Sequence, residues 1–237
     1  MISVFKRTRL KIMAKKKNGG YLFYALGEIF LVVIGILIAL GLNNWNERKA
    51  EKNDEAFFLK SILENIIEDE NELEKIISFQ SLRRTIRIEL YNELDREQKD
   101  RSKIETLYAK ITDMNLTFFA NNSAFNSIKS SGDLNLIQNK TLQIQLSSLY
   151  DKTYYRIDYN GQVYDKRSEE NSRELKNDYN LERHEFTNWK VVEDGTVRNI
   201  ISFEQDYNLY YVGLLEAALV HVKNIKTMLN KELSRFD

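Results

Sequence analysis

The chain contains no cysteine and no proline, and only two histidines, His184 and His221, among its 237 residues. Without cysteine there are no disulfides, thiolate metal ligands or thiol nucleophiles. At a usual abundance of about 5%, proline would occur roughly a dozen times in a chain of this length. Proline breaks helices, so its absence predicts long uninterrupted ones. Two histidines leave little material for acid–base or metal chemistry. The sequence also has no phosphate-cradling glycine loop, no G-x-S-x-G elbow and no H-E-x-x-H pair. The Glu-x-x-His unit of bundle di-iron sites is missing, because Leu181 and Ala218 stand three residues before the two histidines. No catalytic, cofactor-binding or metal-binding residue is therefore assigned, no cofactor is expected, and the chain is read as non-enzymatic.

What is present is unevenly distributed. The formal charge is zero, yet residues 1–20 hold seven basic side chains (Lys6, Arg7, Arg9, Lys11, Lys15, Lys16 and Lys17) and no acidic one. The rest of the chain carries a matching acidic excess. A short basic block ahead of an apolar run suits the cytoplasmic flank of a membrane helix. It also suits anionic lipid headgroups, at about 1 kcal/mol per basic residue. Nucleic acid is not expected as a partner, since the block is short and the apolar run follows at once.

That run, Tyr21 to Leu42, reads YLFYALGEIFLVVIGILIALGL and holds a single charge, Glu28. As a helix it would measure about 33 Å, enough for a hydrocarbon core of roughly 30 Å. Tyr21, Tyr24 and Trp45 stand near its ends, where amphipathic rings prefer the headgroup region. It is longer than the apolar core of a cleaved signal peptide, about 7–15 residues. It is also apolar on every face, unlike a soluble surface helix. The expectation is an uncleaved anchor in a bacterial inner membrane, with residues 1–20 cytoplasmic, 21–42 spanning and 43–237 periplasmic. Glu28 admits three readings: a side chain reaching the headgroups, a contact with a partner helix, or a relay for protons or ions. Gly35 and Ala39 form a small-x-x-x-small pair on roughly the same face as Glu28, which permits close approach of a second helix and hence a homo-oligomer.

The stretch GEIFLVVIGILIALGLNNWNE, Gly27–Glu47, resembles the head of an uncharacterised family of single-span bacterial envelope proteins, and FNSIKSSGDLNLIQN, Phe125–Asn139, is similar to its mid-chain motif. The resemblance implies a basic start, one membrane helix and a helical domain of unknown activity. It supplies no catalytic residues.

Beyond the span, periodicity predicts an all-α, antiparallel bundle of four or five helices. A long helix covers Glu47 to about Asp95, with Leu59, Ile66 and Leu73 spaced by sevens over about two heptads. Asn43 and Asn44 either bend the chain or let the span run into this helix. Further helices are expected over Lys103–Met114, from Asn122 or Ser123, from Asn139 to about Tyr179 with Gly161 weakening its middle, and over Ile200–Phe236. Ser130–Asp133 and Glu193–Thr196 read as turns. His221 falls on an apolar stripe, as a boundary histidine with a hydrogen-bond partner, and His184 in a polar stretch. Glu64, Glu68 and Glu72 form a solvated face, and the tyrosines from Tyr150 to Tyr164 line the bundle.

Two functions follow from this inventory. The first is a membrane-anchored periplasmic interaction or scaffold protein acting on an envelope protein partner. The alternative is a single-span sensor whose bundle binds a small ligand and signals through a membrane partner.

Overall fold

The computed structural model describes residues 20–112 and 114–236, and the chain divides into two compact units, Met1–Asp54 and Glu55–Asp237. Among the described residues the protein is all-α apart from one hairpin of two-residue strands. Helix α1 is Gly20–Leu94. Asn43 and Asn44 lie inside it: the Asn43 side chain donates to Glu47 at 2.8 Å, and the Asn44 carbonyl accepts from the Arg48 guanidinium at 3.1 Å. Of the two readings for Asn43 and Asn44, the one observed is that the apolar run continues into the following helix, with no proline or glycine between Asn43 and Leu94 to break the backbone. Within the first unit α1 contains a window of mean hydropathy 2.6 that is not buried at all. It is long and apolar enough to cross a membrane.

The second unit is the bundle. After α1 come α2 (Arg101–Ala109), α3 (Ser123–Ser131), α4 (Lys140–Ser148), a single π turn (Leu149–Tyr154), α5 (Tyr155–Glu174), a hairpin of β1 (Tyr179–Asn180) and β2 (Glu185–Phe186), the short α6 (Lys190–Glu193) and α7 (Thr196–Leu233). Gly132 and Gly195 hold positive φ values, 83° and 88°, and end α3 and precede α7 as the two turn signals require.

Several expected bounds move. Helix α2 stops at Ala109 instead of Met114, and residues 114–122 have no regular secondary structure, because their polar groups bond to α1, α5 and α7 instead of to one another. The helix expected from Asn139 to Tyr179 is interrupted by the π turn, where the Thr153 hydroxyl donates to the Ser148 carbonyl five residues back, and it ends at Glu174. Tyr179 belongs to β1, against Phe186. Helix α7 begins at Thr196, one turn before Ile200, and ends at Leu233. Gly161 is explained by close approach: a Cβ there would lie 3.1 Å from the Tyr211 hydroxyl and 3.3 Å from Thr117.

Helices α1 and α7 form the antiparallel spine. The buried positions of α1 include Glu55, Leu59, Ile62, Ile66, Asp69, Leu73, Ile76, Gln80, Arg83, Arg87, Leu90 and Leu94, advancing by alternate steps of four and three, with Asn65 and Glu93 buried beside this row. A row on α7 does the same: Val197, Ile201, Glu204, Asn208, Tyr211, Leu215, Ala218, Val222, Ile225, Leu229 and Glu232, with Ile200 and Val212 buried beside it. An average of 3.5 residues is the spacing at which two helices keep one seam in contact along their length. Lys226 reaches Glu70 at 2.6 Å and Lys223 reaches Glu74 at 2.8 Å, while further along α1 Gln80 meets Asn208 and Arg87 meets Glu204. These pairs fix the antiparallel register.

Two apolar cores form along this spine. One gathers Leu59–Ile76 of α1 with α3, α4, the π turn and the C-terminal half of α7. The other gathers Leu90 and Leu94 with α2, the hairpin, α6 and the start of α7. A buried polar layer lies between them.

Candidate functional site

The layer is built where the two heptad seams place polar side chains. Gln80, fully buried, donates to the Asn115 side chain (2.9 Å) and the Leu116 carbonyl (2.6 Å), and accepts from Asn208 at 2.8 Å. Asn208 also donates to the Tyr164 hydroxyl at 3.3 Å. Asp165 on α5 accepts from Asn115 (2.9 Å) and Thr117 (2.7 Å), and the Phe118 amide donates to the Tyr211 hydroxyl at 2.9 Å. Burial pushes that hydroxyl up from its ordinary value and keeps it neutral. The irregular segment after α2 is thus tied down bond by bond, as buried backbone outside a helix must be. Arg83, also buried, donates to the carbonyls of Ile111 and Met114.

One turn further along α1, Arg87 is 2% exposed and forms an ion pair with Glu204 at 3.0 Å. The other Glu204 oxygen accepts from Asn171 at 2.7 Å. The Arg87 Nε and Nη1 atoms are buried and meet no hydrogen-bond partner among the described residues. Arg87 is one of the residues lining a cleft of about 40 Å³, together with Tyr108, Ile111, Thr112, Ser168, Asn171, Ser172, Ile200, Ile201 and Glu204. Beside it an open groove of about 700 Å³ shares Thr112, Ser168 and Ser172, and adds Ile76, Leu116, Phe119 and the strongly exposed Met114, with Glu72, Lys75, Asp165 and Glu169 around them.

A second polar cluster holds the start of α3. Asn65 accepts from the Ala124 amide (3.0 Å) and the Ser123 hydroxyl (3.2 Å). Asn122, at the cap position itself, makes no capping bond. Buried Asp69 accepts from the Asn121 amide and the Tyr154 hydroxyl, both at 2.8 Å. Burial, with the charges of Glu72 and Glu68, outweighs these bonds and raises its carboxyl to about 6.

A model of a family of unknown function, DUF6090, matches residues 28–206, about three-quarters of the chain. The chain belongs to the DUF6090 family. No curated protein and no solved structure matches it. The matched stretch of this DUF6090 chain begins at Glu28 and takes in Gln80, Arg87, Asp165, Asn171 and Glu204.

The residues singled out from the sequence fall elsewhere. Lys6, Arg7, Arg9, Lys11, Lys15, Lys16 and Lys17 lie outside the described residues. Glu28, Gly35 and Ala39 are exposed on α1. His184 is exposed in the hairpin turn at φ 54°. His221 is half-buried, its ring nitrogens 2.9 Å from Gln145 and 3.4 Å from Thr153, and burial lowers its pKa. Glu64, Glu68 and Glu72 are exposed, with Glu68 accepting from Asn121. Of the tyrosines, Tyr150, Tyr154 and Tyr164 are buried, whereas Tyr155 and Tyr159 face outward. None of these histidines or outward tyrosines enters the polar layer. Arg87, Glu204, Gln80 and Asn208 were signalled only by their register on the seams.

Proposed function

We propose that this DUF6090 chain is a membrane-anchored, non-enzymatic interaction protein of the bacterial envelope, with residues 1–20 in the cytoplasm, residues 21–42 in the inner membrane and the helical domain in the periplasm, where it engages another envelope protein. The observation that carries the reading is the wholly unburied apolar window of α1, immediately preceded by seven basic residues and no acid. Removing such a surface from water needs a bilayer, and the basic flank sets the side on which the N-terminus stays. The first test is a reporter fused after Asp237. One that works only in the periplasm is expected to be active, and replacing the seven basic residues with neutral ones should weaken that bias. Activity of a cytoplasmic reporter alone overturns the orientation.

The groove beside Arg87 favours a second reading, in which the domain is the ligand-binding part of a single-span sensor. Its volume, about 700 Å³, falls in the range of small-molecule sites, roughly 300–1,000 Å³, and its walls are mostly polar, with Ile76, Met114, Leu116 and Phe119 supplying the apolar part.

A further inference from the structure

We propose that the aromatic cavity between the irregular segment after α2 and the start of α5 binds a quaternary ammonium group. The cavity measures about 270 Å³ and is lined by Phe118, Phe119, Tyr150, Tyr154 and Tyr155, with Asp158 the one charged side chain among the described residues of its wall. It shares only Phe119 with the groove beside Arg87 and does not depend on that groove's holding a ligand. Tyr150 and Tyr154 belong to the π turn, and Tyr155 follows it. In a regular α-helix residues five apart stand about 140° round the axis. The i→i+5 bonding of a π turn, a rare form frequent at functional sites, brings Tyr150 and Tyr155 to one cavity. Tyr154 stands 5.3 Å from Tyr150 at 85° and 5.4 Å from Phe118 at 51°. Its hydroxyl donates to Asp69 at 2.8 Å, which fixes the ring. Rings set at such steep angles enclose a corner instead of stacking flat.

The packing of the domain leaves Phe119 65% and Tyr155 69% exposed. They come from two different segments, yet they line the same cavity. An aromatic ring carries negative charge on its face, so a cation within about 6 Å of several rings is attracted by each. Asp158 adds a full negative charge. It enters no ion pair among the described residues, and its one bond is accepted from the Gln162 amide at 2.9 Å, on a single oxygen. No lysine, arginine or histidine among the described residues lines the cavity, so an anion would meet only repulsion there. Hydrogen bonding selects the kind of cation. A primary ammonium brings three N–H donors, and ring carbons give them no oxygen or nitrogen to bond; donors left unmet away from water are costly. A quaternary ammonium has no N–H and turns methyl groups toward the rings. The volume lies just below the roughly 300–1,000 Å³ of ordinary ligand pockets, which suits a small head group. That head is borne either by a free solute or by a phosphocholine lipid.

The test uses the full-length protein in a non-ionic detergent. Thermal unfolding is followed against tetramethylammonium, choline and phosphocholine, with sodium chloride holding the ionic strength constant. The uncharged carbon analogue of choline, 3,3-dimethylbutanol, separates charge from apolar bulk. A ligand that binds only the folded state raises Tm saturably. Tetramethylammonium and choline are expected to do so, and 3,3-dimethylbutanol much less. Asp158→Asn removes the charge, and Tyr155→Leu removes a ring but keeps an apolar side chain. Both positions stand outside the apolar cores, so both variants should fold. Each should weaken the apparent Kd for choline by about threefold or more. Tyr159→Leu changes an exposed tyrosine of α5 that does not line the cavity, and should bind as the wild type does. Phosphocholine bound as tightly as choline assigns a lipid head, and weaker binding assigns a free solute; both results support the site. No saturable rise, an equal rise with 3,3-dimethylbutanol, or an affinity unchanged in either Asp158→Asn or Tyr155→Leu overturns it, as does equal weakening in Tyr159→Leu. None of these outcomes bears on the groove beside Arg87, which neither Tyr155 nor Asp158 lines.

Discussion

Asp69 is a carboxyl group in a place that disfavours its charge. It is almost wholly enclosed, it faces the Tyr154 hydroxyl and the Asn121 amide, and Glu68 and Glu72 lie close enough to repel it. With its carboxyl raised from 3.8 to about 6, the folded chain holds a proton more tightly than the unfolded chain does. Stability from this group is therefore greatest below about pH 4 and falls as pH rises through 6. A shift of this size amounts to about 3 kcal/mol at neutral pH. Asp69→Asn removes the titration while still accepting from the Asn121 amide, and its own amide can donate to the Tyr154 hydroxyl. The variant's Tm relative to wild type should accordingly be higher at pH 7.5 than at pH 5, by thermal unfolding of the full-length protein in detergent. A difference that does not change with pH would show that Asp69 titrates normally. Tyr154 cannot take over the role, since burial and the neighbouring Asp69 push its hydroxyl far up.

At the scale of elements, α1 acts as a template for chain that has no regular structure of its own. Its Asn65 caps α3, its Asp69 and Glu68 hold Asn121, its Gln80 holds Asn115 and Leu116, and its Glu55 accepts from the Gln138 amide at 2.7 Å. Asn65→Ala should lower stability by about 1–2 kcal/mol, because it removes the acceptor for the first free amide of α3 and no local residue replaces it. The loss should appear as faster amide exchange across Ser123–Ser131. Exchange that rises evenly over the whole domain would point to general destabilisation instead. The sequence made the long helices and their apolar stripes legible, since Leu59, Ile66, Leu73 and the α7 stripe advance at helical spacing. It hid the length of the seams. Gln80, Arg83 and Arg87 continue the α1 register for three more steps, but polarity at those positions reads as a solvated face unless the register is carried on by count alone. The irregular segment after α2 was illegible for the same reason from the other side. Ile111 and Met114 keep a helical period, while the bonds from Asn115, Thr117 and Phe118 that hold the chain out of a helix reach partners 48 to 93 residues away.

For the whole molecule, the apolar part of α1 raises the question of what its glycines are for. A Cβ added at Gly27, Gly35 or Gly41 would meet nothing within 4 Å, so the packing of a single chain requires none of them. In a water-exposed helix each costs about 1 kcal/mol relative to alanine. Among the described residues Gly35 and Ala39 sit four apart on an exposed face, with Glu28 seven residues before Gly35. If two copies meet there, Gly35→Leu should abolish crosslinking of full-length protein in membranes, because the close approach needs the missing side chain. Glu28→Gln should then preserve crosslinking through a retained hydrogen bond, and Glu28→Leu should reduce it, a carboxylate inside the span being tolerated best against a partner. Loss in Gly35→Leu but not in Glu28→Leu would keep the dimer and place Glu28 at the headgroups. A wild type that crosslinks only as monomer would remove self-association altogether. The glycines would then be neutral in lipid, and Gly35→Leu should leave both insertion and the unfolding of the helical domain unchanged.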